Sequence, residues 1–63
     1  MSITLSTYVS ADGMDAEIRL NKGSAAPELL ITLYGSTVYR NTYLTRAGAR
    51  RAMNRFASTW TRT

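Results

Sequence analysis

The chain opens on an alternation. Ile3, Leu5, Thr7 and Val9 fall on one side, and Thr4, Ser6 and Tyr8 on the other. That is the period of a half-buried strand, with the apolar set toward the core. Asp12-Gly13 then marks a tight turn. A second alternation follows. Met14, Ala16, Ile18 and Leu20 face one way, and Asp15, Glu17, Arg19 and Asn21 the other. The two segments together read as a β-hairpin. Lys22 to Glu28, with Gly23, Ser24 and Pro27, reads as a loop. Leu29 to Tyr34 is a third strand, Gly35-Ser36 a second tight turn, and Thr37 to Tyr43 a fourth strand.

The period then changes. Ala49, Ala52, Met53, Phe56, Ala57 and Trp60 recur at three- and four-residue spacings, as one face of a helix does. Thr45 is placed to cap its N-terminus. The expected helix runs from about Arg46 to about Trp60, with Phe56 and Trp60 in the core. The expected fold is α+β: a small antiparallel β-sheet of three to four strands, with one C-terminal amphipathic helix packed on one face. At 63 residues the chain makes one domain, residues 1–63. A core this small is also compatible with a homodimer.

Charge sharpens the picture. The net charge is +4 and unevenly spread. All four acids, Asp12, Asp15, Glu17 and Glu28, precede Leu29, whereas Arg40, Arg46, Arg50, Arg51, Arg55 and Arg62 follow it with no acid among them. On the expected helix, Arg51, Asn54, Arg55, Ser58 and Arg62 share the face opposite Phe56, with Arg46 and Arg50 to the side. Like charges at i,i+4 repel, and arginine in a first turn opposes the helix dipole. Two readings stand: a solubilising face, or an electropositive stripe for phosphate or acidic protein. Arginine's planar fork of donors suits the second.

The tyrosines are the second feature. With Ile31 and Leu33 toward the helix, Leu30, Thr32 and Tyr34 face away, and Tyr8, Tyr39 and Glu17 are candidates for the same outer surface. They serve either as cross-strand pairs stabilising the sheet or as an exposed binding patch. Tyr34 therefore joins the arginines as a candidate partner-binding residue.

Catalytic chemistry has little to work with. The chain has no His and no Cys, and its acids are scattered over strand, turn and loop. No metal-ligand spacing, nucleophile–base pair or phosphate-binding glycine loop occurs. The expectation is a non-enzyme with no cofactor, no metal and no small-molecule substrate. The N-terminus lacks a signal-peptide pattern, and no apolar run reaches the length of a membrane span. A cytoplasmic protein without membrane contact is expected.

Tyr43-Leu44-Thr45-Arg46-Ala47-Gly48-Ala49-Arg50-Arg51-Ala52-Met53, after the second hairpin, resembles the sheet-then-helix units of AP2 domains and of integrase arm-binding domains. Those families read DNA with basic residues on the sheet, where the first hairpin here carries Asp15 and Glu17. In size and in the Arg40…Tyr43-x-Thr45 approach to the helix, the chain is also similar to small phage and mobile-element inhibitors, including anti-CRISPR proteins. The leading expectation is a phage-type inhibitor that docks on a host nucleic-acid-handling protein complex through the arginine-rich helix. The alternative is direct DNA or RNA binding through the same stripe.

Overall fold

The computed structural model describes residues 2–21, 23 and 25–63. Strands β1 (Ser2–Ser10), β2 (Met14–Asn21), β3 (Glu28–Leu33) and β4 (Ser36–Thr42) are followed by helix α1 (Arg46–Met53) and strand β5 (Trp60–Arg62). Every pairing is antiparallel, and the five strands lie in the order β4-β3-β2-β1-β5. Among the described residues the sheet therefore has five strands rather than three to four. In the expected loop over Lys22 to Glu28, Lys22 and Ser24 lie outside the described residues.

The first hairpin closes through a three-residue loop. Gly13 has φ +91° and donates its N–H to the Ser10 carbonyl at 3.2 Å. That conformation suits glycine. The second turn is Tyr34-Gly35 rather than Gly35-Ser36, because Leu33 pairs with Ser36. Both central residues have positive φ (51° and 84°), as a type I′ turn requires. A Cβ on Gly13 would lie 3.3 Å from the Tyr34 hydroxyl. Tyr34 thus reaches toward the neighbouring turn while 84% of its surface stays exposed.

The face of β1 also differs from the simple alternation. Thr4 pairs with Arg19, but Ser6 pairs with Ile18, so Leu5 is the extra residue of a β-bulge. A bulge exchanges which parity faces the core. Beyond it Ser6, Tyr8 and Ser10 are buried, while Thr7 and Val9 take the outer side. Tyr8, Ala16, Ile31 and Tyr39 form one cross-strand row on the helix side. Tyr8 and Tyr39 therefore face inward and do not join Leu30 and Tyr34 on the outer surface where they were expected.

The core joins Tyr8, Ala16, Ile18, Leu29 and Ile31 of the sheet to Ala49, Ala52 and Met53 of α1. Thr45 caps the helix, its Oγ1 accepting the Gly48 N–H at 3.0 Å. The helix stops at Met53, well short of Trp60. The N–H groups of Asn54, Arg55 and Phe56 turn back to the carbonyls three residues earlier, the tight geometry of a helix end. The Trp60 indole N–H then donates to the Met53 carbonyl at 2.9 Å. Phe56 is half-buried, its ring 4.8 Å from that of Tyr39.

Trp60, Thr61 and Arg62 pair with Ser10, Val9 and Tyr8. An aromatic and a β-branched residue suit a strand. As β5 they also satisfy part of an edge that a longer helix would leave open.

Candidate anion-binding surface

The outer face of the sheet holds the acids of the strands. Glu17 accepts a hydrogen bond from Thr4 Oγ1. Glu28 lies between two arginines: Arg19 Nε donates to its Oε1 and Arg40 Nε to its Oε2, each at 2.8 Å. Only 5% of Glu28 is exposed, so the pairing satisfies a carboxylate that would otherwise be costly to cover. The Arg40 and Arg19 bonds, in that order, hold its pKa down at about 2, from an ordinary value of 4.5.

A depressed carboxylate pKa stabilises the fold above the unfolded value and ceases to do so as pH falls through the folded value. Glu28 should therefore contribute fully above pH 4.5 and lose its contribution on acidification toward about pH 2. Glu28→Gln keeps the shape and removes the charge, at an expected cost of about 1–3 kcal/mol near neutral pH. Denaturant melts at a series of pH values should show the two proteins converging in acid. A constant gap across that range would contradict this reading.

Arg19 and Arg40 are thus offset by Glu28 and by Glu17, whose Oε1 lies 3.9 Å from Arg19 Nη1. The other five arginines are not. Arg46, Arg50, Arg51, Arg55 and Arg62 are all exposed, and among the described residues none of them makes an ion pair. They divide into two groups. Arg51 and Arg55 line a shallow depression with Tyr43 and Gly48, toward β4. Arg46, Arg50 and Arg62 line another with Ser6 and Tyr8, toward β1.

The expected common face of Arg51, Arg55 and Arg62 is therefore not formed. Arg55 and Ser58 lie beyond the helix end and Arg62 is on β5. Arg62 pairs directly with Tyr8 across the strands and so points to the helix side. Arg46 and Arg50, four apart, run along one edge of α1, and the Arg50 guanidinium lies 5.8 Å from the centre of the Tyr8 ring, within reach of a cation–π interaction.

Ser6 and Tyr8 drew no attention in the sequence as members of a cationic site, since a serine in a strand is unremarkable there. The one signal for Arg62 was that it sits two residues after Trp60, on the same face of a strand but not of a helix.

Beside Arg51 and Arg55, the Tyr39 and Tyr43 hydroxyls hydrogen-bond each other. This bond lowers the pKa of Tyr39 and raises that of Tyr43, and Arg55 favours the ionised form of both. Tyr43 is accordingly the donor once Tyr39 ionises. Among the described residues no three carboxylates converge on a metal-sized site, and no helix is long and apolar enough to cross a membrane. Comparison with protein-family models, with curated proteins and with solved structures finds no match for this chain.

Proposed function

We propose that the protein is a small non-enzymatic domain that binds the phosphate backbone of nucleic acid through its helix side. The observation that carries this is the segregation of charge. Five exposed arginines without an ion pair lie on α1, on the turn after it and on β5. Asp15, Glu17 and Glu28 lie on the strands, where Glu17 and Glu28 together offset Arg19 and Arg40. Unpaired arginines held on one side of a rigid sheet form a positive surface whose forked donors match phosphate oxygens. The outer face sets three carboxylates against two arginines and has no positive excess for phosphate, so the helix side is the face that engages.

The case for a protein partner rests on the acidic first hairpin and on the Leu30/Tyr34 surface, of which Tyr34 stays 84% exposed. With Tyr8 and Tyr39 facing the helix, neither joins that outer surface, and the aromatic rings near the arginines are partly covered by the fold.

One observation keeps a second reading in view, that of an inhibitor or adaptor docking on an acidic protein. Leu44 is 94% exposed, two residues before Arg46. It would serve as an apolar anchor beside the charges. Under that reading Leu44→Ser weakens binding and nuclease treatment does not. Under the nucleic-acid reading Leu44→Ser is nearly silent.

Replacing Arg51 and Arg55 with Glu tests the leading proposal. Both are surface positions, where substitutions usually change stability by within about 0.5 kcal/mol. Affinity for a fluorescent duplex, read by anisotropy, should fall by at least about tenfold, because two attractive contacts become repulsive. Unchanged affinity in a folded double variant would exclude Arg51 and Arg55 from the surface. Failure of the wild type to bind duplex or single strand at low salt would overturn the proposal.

A further inference from the structure

The ladder between β1 and β5 covers only Tyr8, Val9 and Ser10. Beyond it, toward Ser2, the outward edge of β1 carries no strand among the described residues. The depression of about 350 Å³ lined by Arg46, Arg50 and Arg62 lies there, beneath the first turns of α1. Ser6 belongs to its lining. Ser6 is only 6% exposed, and its Oγ has no hydrogen-bond partner in the structure. A buried hydroxyl is ordinarily satisfied, and leaving one unpaired costs stability.

Three further facts bear on the same spot. Tyr8 lies two residues along β1 from Ser6, on the same face. Arg62 stands opposite Tyr8. Arg50 lies over the Tyr8 ring. Three arginines without an ion pair and a serine with an unpaired hydroxyl thus line a single recess.

We propose that this recess is a discrete site for one phosphate group. Arg46, Arg50 and Arg62 supply the charge and the forked N–H donors, and the Ser6 hydroxyl donates to one phosphate oxygen. The Tyr8 ring holds Arg50 in position from below. Arginine carries five donors and no acceptor, and serine can add a donor, so with three positive charges the set suits a phosphate oxyanion and repels a cation. The Ser6 hydroxyl is closed to solvent. It engages by turning about χ1 between staggered rotamers as the exposed arginine side chains part. Taking the backbone of nucleic acid as the source of that phosphate rests on the function proposed above; the site itself does not.

The test is an NMR titration with inorganic phosphate, against chloride at equal ionic strength, on the wild type, Ser6→Ala and Arg62→Ala. Wild-type shifts should saturate and centre on Ser6, Tyr8, Arg46, Arg50 and Arg62. Each substitution should weaken phosphate binding by about tenfold, the loss of one charge-assisted hydrogen bond.

Ser6→Ala carries a second signature. Removing an unpaired buried hydroxyl should raise the melting temperature, by about 4–8 °C for a domain of this size, while binding weakens. Equal phosphate affinity in Ser6→Ala and wild type, or shifts spread evenly over Arg51 and Arg55, would overturn the site. So would duplex binding with no phosphate response at Ser6, an outcome that leaves the proposed function standing. Phosphate bound at Ser6 without any binding of nucleic acid would support the site and sink the proposed function.

Discussion

Leu29→Ala is expected to remove most of this domain's stability. Leu29 has no exposed surface. It pairs with Ile18 across β2 and β3 and shares the core with Ile31 and Met53. Truncating a fully buried leucine costs about 2–5 kcal/mol, because transfer energy is lost and a cavity remains. At about 0.05–0.15 kcal/mol per residue, a chain of 63 residues has only about 3–9 kcal/mol in total.

The sheet around Leu29 is continuously paired and cannot collapse easily into the space, so the upper half of the range is expected. Each kcal/mol lowers the melting temperature by about 4–8 °C in a domain of this size. Val38→Ala, at the β4 irregularity and half exposed, is the matched control and should cost about 0.5 kcal/mol or less. Melts in which the two substitutions act alike would mean that the core is not built as described. Phe56→Ala, at a half-buried position, should fall below the roughly 3–5 kcal/mol of a fully buried phenylalanine.

Much of this architecture was legible in the sequence. Asp12-Gly13 and the alternation from Met14 to Leu20 specified the first hairpin and the core face of β2. The residue pair around Gly35 located the second hairpin to within one position. Thr45 announced the start of the helix. These signals are local, and each acts through its own backbone geometry.

The failures had non-local causes. The Leu5 bulge reversed the facing of β1, and a bulge leaves no mark in an alternating pattern. Placing Tyr8 inside then required the small Ala16 beside it and Arg50 above it. Phe56, Ala57 and Trp60 kept the helical spacing because the turn after Met53 returns toward the core. Their spacing recorded proximity to the core and not continuity of the helix. The β-branched Thr59 and Thr61 around Trp60 were the available hint of a strand.

The candidate site was affected in the same way. Its arginines were evident from charge alone. Their grouping was not, since Arg62 joins Arg46 and Arg50 only through the pairing of β5 with β1.

The most direct test of a phosphate-binding helix side is the salt dependence of duplex affinity. Each phosphate neutralised releases counterions, and log K falls against log salt with a slope of about −0.9 per contact. With four or five arginines engaged, the expected slope is about −3.6 to −4.5, and raising salt from about 50 to 200 mM should weaken binding by about a hundredfold or more. Arg51→Glu/Arg55→Glu should flatten the slope by about two contacts' worth, and Arg46→Ala/Arg50→Ala should do the same. A slope within one contact of zero, or one unchanged by both pairs of substitutions, would contradict the assignment of these arginines to a nucleic-acid backbone.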